Sequence, residues 1–337
     1  MRSAILAAAL ALAACATAPA TPTTSAAPAC ALSAADREWV DGAFAAWRFS
    51  AAEILGFPTA RAFDAVIFDG GCVLSSANAF TAASAADIVW TATPHSGEIT
   101  MPDGQTMPAG VTSFASAEGG RAFFVMSTPS VWSAGGVTNA TLGLETMMTA
   151  VFLHEAAHAI QFGGYGTRIA AIEATGRVAD DDINDDMIQH RFGADAAFTA
   201  SVQRETDLLF QIVGNRDEAE ARRLARQALD LMRERRARYF TGDDAFLADA
   251  EDTWLTLEGS GQWLGYQWVA HPSGGGAERE AAMRDFARRT RWWSQNEGIA
   301  LAFAVDRLAN FDWKREAFGG GSRTLTDMLE AALAESD

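Results

Sequence analysis

The chain reads as an α+β protein, with a small N-terminal sheet-bearing part packed on a larger, mainly helical part. Two observations predict this. Between residues 64 and 132, short β-branched or aromatic runs at 65–68, 88–92, 98–101 and 122–127 are separated by Gly and Pro clusters. From Thr141 onward, apolar residues recur at helical spacing almost to the end. The expected division is 1–14 signal segment, 15–31 tether, 32–140 helix plus small sheet, and 141–337 helical part.

The first residues look like an address. Arg2, an apolar run at 4–12 and small residues before Cys15 have the layout of an export signal, too short to span a bilayer. Leu12-Ala13-Ala14-Cys15 resembles a bacterial lipobox. The resemblance implies cleavage before Cys15 and lipidation of its thiol. Ala16, in place of the Asp that usually retains a lipoprotein in the inner membrane, implies the outer membrane, facing the periplasm. The alternative is an ordinary secretory signal cut elsewhere. Residues 16–31 are rich in Ala, Thr, Pro and Ser, and have too little apolar surface to fold. An exported chain meets an oxidising compartment, which makes Cys30 and Cys72 a candidate disulfide.

Ser33 is a candidate N-cap for a helix to about residue 55, with Phe44, Trp47, Ala51 and Ile54 on one face. Gly56-Phe57-Pro58 ends it. Asp103-Gly104 sits between two short extended runs, a hairpin signal, and the flanking prolines favour sheet edges. Helices are expected at 141–162, 183–191, 195–213, 216–239, 243–270, 276–290, 295–309 and 323–334. Gly163-Gly164 and Gly214-Asn215 read as stops. The arginines of 216–239 read as a solvated face, and the acidic run 180–186 as a helix N-terminus rather than a calcium loop.

Composition excludes whole classes. Hydrophobic residues at 49% and charged residues at 20% rule out a wholly disordered chain. A net charge of −17 argues against nucleic acid as a partner, and against membrane contact other than through a lipid. The most apolar internal stretch, 142–162, carries Glu145, His154, Glu155 and His158, so it does not read as a span.

Those residues carry the chemistry. In His154-Glu155-Ala156-Ala157-His158, the histidines are four apart and share a helix face, so both imidazoles reach one metal ion. Glu155 stands beside the first of them, placed to take a proton from a metal-activated water. The surrounding Val151, Phe152, Leu153, Ala159 and Ile160 imply a buried helix, where unpartnered polar groups are costly.

The segment resembles the active-site helix of zincin metallopeptidases. The longer metzincin pattern fails, because positions 161 and 164 are Gln and Gly. The third ligand must then come from elsewhere, as in gluzincins, where a later helix supplies a Glu. Glu258, in Leu257-Glu258-Gly259-Ser260-Gly261-Gln262-Trp263, resembles that segment. Gly261 and Gly265 follow it at helical spacing and would let the helix of His154 come close, with Trp254 as an apolar anchor. The resemblance implies a Zn2+ peptidase acting on peptides or proteins, with Glu155 as general base. The alternative is a non-catalytic envelope lipoprotein on a zincin-like scaffold. Glu205 is a rival ligand, a partner to orient a histidine or half of a buried ion pair, the last two favoured; Glu251 and Asp252, two turns before Glu258, are candidates to orient a histidine, and Glu297 is a weaker rival. Tyr266, two turns beyond Glu258, is a candidate transition-state donor, ahead of Tyr165, Tyr239, His190 and His271.

Overall fold

The computed structural model describes residues 30–57, 63–179, 183–287 and 292–334. The expected signal segment, the candidate lipidation site Cys15 and the expected tether to residue 29 lie outside the described residues.

Helix α1, Ala34–Phe49, starts where Ser33 Oγ accepts from the Asp36 amide at 3.1 Å. It runs into a π turn over Ser50–Leu55, which ends at Gly56 with φ of 77°. The sheet follows: β1 Asp64–Phe68, β2 Cys72–Ser76, β3 Thr91–Pro94, β4 Glu98–Thr100, β5 Thr106–Pro108, β6 Ser113–Glu118 and β7 Arg121–Ser127. Five strands pair in the order β3-β2-β1-β7-β6, with β1 and β7 parallel and the other pairs antiparallel. Strands β4 and β5 form the hairpin expected at Asp103-Gly104. Pro94 sits on an edge strand, as a residue without an amide donor must. Cys30 and Cys72 are disulfide-bonded, with Cα atoms 5.6 Å apart.

One sheet expectation shifts, and two strands go unforeseen. The strand read at 88–92 begins only at Thr91, because Asn78 Oδ1 accepts the Val89 amide at 2.9 Å and holds that stretch off the ladder. The β2 and β6 strands were not legible, because serines interrupt their apolar alternation.

The helical part comprises α2 Pro129–Ala134, α3 Leu144–Glu173, α4 Met187–Phe192, α5 Ala196–Gly214, α6 Glu218–Tyr239, α7 Leu247–Ala270, α8 Arg279–Phe286, α9 Trp293–Leu308, α10 Trp313–Phe318 and α11 Leu325–Ala334. Gly163-Gly164 does not stop α3, which runs on through it. Its role is close packing: a Cβ on Gly164 would lie 1.9 Å from the Gly321 carbonyl oxygen. Helix α7 packs between α3 and α9, and Gly259 and Gly298 touch backbone to backbone where α7 meets α9.

The two parts share one core. Ala65, Ile67, Phe124 and Met126 point from the sheet toward the helices, where Phe124 and Phe44 each meet Phe152 of α3 at 5.0 Å between ring centres. The alternate residues Val66, Phe68, Phe123 and Val125 pack on Ile99 of the hairpin, which covers the other face. Among the described residues, no helix is long and apolar enough to cross a membrane.

Candidate metal centre

One turn of α3 places His154 Nε2 and His158 Nε2 2.9 Å apart. Glu258 arrives from α7, with Oε2 3.2 Å from His154 Nε2 and Oε1 3.1 Å from His158 Nε2. The close approach depends on the glycine face of α7. A Cβ on Gly261 would sit 2.7 Å from His154 Nδ1, and one on Gly265 would sit 3.0 Å from the Ala150 carbonyl oxygen. His154 and Glu258 are buried, and His158 is nearly so.

This group could hold a metal ion, since its candidate ligand atoms all lie within 4.8 Å of one another. Its chemistry fits one. Glu258 Oε2 is buried without a hydrogen-bond partner. Two imidazole nitrogens and a carboxylate form the mixed N and O donor set that transition metals take. The tautomer of His158 is set from behind. Gln161 uses both amide hydrogens, on Ser260 Oγ at 2.6 Å and the Ala317 carbonyl at 3.2 Å. Its Oε1 therefore faces His158 Nδ1, 3.3 Å away, which assigns the proton to Nδ1 and leaves Nε2 as the donor to a cation. If the group holds a metal ion, Gln161→Leu should therefore weaken metal binding by about 10–100-fold in a competition titration, while Gln161→Glu, which keeps an acceptor, should lose less.

Without metal the same atoms bind a proton. Burial lowers the His158 pKa, but the Glu258 carboxylate outweighs it and raises the group to about 9. Burial raises Glu258, but the two histidines dominate and hold it well below the usual carboxylate range. The His158 contribution to stability is thus complete below its unfolded value near 6.5 and is lost as pH rises through 9. The Glu258 contribution is present above about 4.5 and is lost as pH falls. Chelated protein should melt at progressively lower temperature from pH 6.5 to 9. Protein saturated with a divalent metal held by this group should resist that decline, because metal displaces the proton more easily as pH rises.

Glu155 is half-buried and, with His154, lines a cavity of about 350 Å3. The remaining candidates go elsewhere. Glu205 is no ligand and orients no histidine. It pairs with Arg235, Oε2 to Nη2 at 2.7 Å, with both side chains fully buried. Arg235 also binds Glu251 at 2.7 Å, and Arg236 bridges Glu251 and Asp252 at 2.7 Å each. Asp252 takes a further bond from Thr326 Oγ1 at 2.6 Å. Arg235, which is fully buried, and Arg236, which is nearly so, correct the reading of the α6 arginines as a solvated face. Burial first, and the Glu205 carboxylate second, push Glu297 well above the carboxylate range, and it lies outside the metal-holding group.

Tyr266 packs on Phe286 and Phe303, and it does not line the cavity. Tyr165 donates to the Arg323 carbonyl, Tyr239 to Asp195, and His271 accepts the Ser273 amide. His190 lines a separate surface pocket with Arg177 and Arg191.

Two residues near the centre escaped the sequence reading of the site. Gln161 is noted there only as a departure from the metzincin pattern. Asp185 lies in the loop before α4, within the acidic run. Its carboxyl is raised to about 7, first by burial and then by the Glu258 charge. No spacing rule connects that loop with α3 and α7. No family model, curated protein or solved structure matches the chain.

Proposed function

We propose that the protein is a zinc-dependent hydrolase that cuts peptide bonds. One observation carries the reading: the two histidines of a buried His154–His158–Glu258 group share α3 with Glu155, and His154 and Glu155 line a cavity. Zinc is the ion of choice because it takes histidine and carboxylate in a four-coordinate site with room for water. When bound, it supplies Lewis acidity, polarising a carbonyl and lowering the pKa of a water.

The chain's own residues do the rest. Glu155 accepts the proton of the attacking water and returns it to the leaving amine. Gln161 holds His158 in the tautomer that leaves Nε2 free. Glu258, fixed between the two imidazoles, keeps their spacing. Strand β6 is an open sheet edge packed beside α3, where an extended peptide could add as a strand.

The setting we propose is the bacterial envelope, with a lipid on Cys15 holding the body at the outer membrane. The lipobox-like Leu12-Ala13-Ala14-Cys15 supports it, and so does the Cys30–Cys72 disulfide, which belongs in an oxidising compartment. The test is elemental analysis of the purified chain together with a peptide-library digest. One zinc per chain with cleavage that chelation abolishes is the expected result. One zinc per chain with no cleavage would return the protein to a binding or assembly role on the same scaffold.

A further inference from the structure

The cavity over His154 and Glu155 has an apolar wall. Val137, Leu142, Met147, Val151, Phe286 and Trp292 line it, all of them half-buried. Six large apolar side chains thus converge on one cavity beside the metal-holding histidine. Met147 and Val151 precede His154 by seven and three residues, so the α3 face that carries the ligand continues as the wall. Those two turns extend about 10 Å from the histidine. Leu142 comes from the turn before α3, Phe286 from the end of α8, and Trp292 from the start of α9.

We propose that this cavity is the subsite for a bulky apolar side chain, aromatic by preference, on the peptide that binds the metal centre. The inference rests on the hydrolase reading and names its substrate class. The volume, about 350 Å3, falls within the ~300–1,000 Å3 range of small-ligand sites. A carbonyl placed against His154 and Glu155 puts the neighbouring side chain over Val151 and Met147. The wall does not select a cation. Besides Glu155, its acidic side chain is Asp285, which already accepts from Asn139 Nδ2 at 2.8 Å. An aromatic ring has the most area to gain from such a wall. One methylene in an apolar pocket is worth about 10–200-fold, so a benzyl group should outcompete a methyl by at least tenfold.

The experiment compares two hydroxamates that differ only in a benzyl or a methyl side chain, titrated calorimetrically into zinc-loaded protein. A matched Phe and Ala peptide pair is assayed alongside. The benzyl compound should bind at least tenfold tighter. Val151→Phe and, separately, Leu142→Phe fill the cavity and should collapse that ratio toward one while the methyl compound still binds. Bound zinc verifies that each variant is folded. Equal affinities in the unsubstituted protein, or a ratio that survives both fillings, would overturn the subsite. Binding of neither compound would overturn it together with the zinc reading. A benzyl preference without cleavage of either peptide would keep the subsite and remove the hydrolase reading.

Discussion

Glu155→Gln should lower peptide hydrolysis by about 100- to 10,000-fold while leaving bound zinc unchanged. Glutamine keeps the shape of the side chain and cannot accept a proton. Glu155 is not among the three residues whose ligand atoms converge, so its loss should not loosen the ion. Paired zinc analysis and initial-rate assays on the two proteins check this. A variant that holds zinc and cleaves at the original rate would sink Glu155 as the general base. A variant that loses zinc would place Glu155 in the coordination sphere.

Glu258→Ala should reduce zinc affinity by more than about 100-fold, since removing even an outer partner of a ligand costs about 10–100-fold. The informative control is Glu205→Ala. Glu205 is as buried as Glu258 and sits on an equally apolar helix face, yet it serves Arg235. Its removal should leave zinc affinity unchanged and destabilise the fold by about 3 kcal/mol, the lower end for a broken buried pair, because Glu251 still partners Arg235. Zinc titration and urea unfolding of both variants separate the two roles. If the Glu205 variant lost zinc and the Glu258 variant kept it, the ligand assignment would be reversed.

The contrast between these two glutamates shows what a sequence can carry. His154, Glu155 and His158 are readable because four-residue spacing on a helix is a local fact. Glu258 is readable for a less direct reason: the glycines at 261 and 265 mark a face that another backbone must approach, and α3 does so. Gly163-Gly164 carried the same signal and was misread as a stop, because small residues serve capping and close packing alike. Glu205 was ambiguous because its partner lies on α6, among arginines whose outward or inward direction depends on where α5 and α7 pack. Gln161 is still less legible. Its position three residues after His158 is plain, but its orientation is dictated by Ser260 and the Ala317 carbonyl, which other helices bring in. The sheet follows the same rule. Strands β1 and β7 announce themselves by apolar runs, whereas β2 and β6 are strands chiefly because a neighbour offers them a ladder.

His158 and Glu258 stand 100 positions apart in the chain, so the metal group exists only after α3 and α7 have docked. Closing so long a loop is an entropic cost that packing must meet before any ion can hold both ends. An ion held by all three residues would then be a late arrival in folding. Each tenfold excess of free metal over its dissociation constant adds about 1.4 kcal/mol to the folded side. If the ligands meet only after the folding barrier, that increment should slow unfolding rather than speed refolding, which stopped-flow rates with and without metal would show. A chain built this way, once it holds an ion, would draw its lifetime more than its speed of assembly from the metal supply around it.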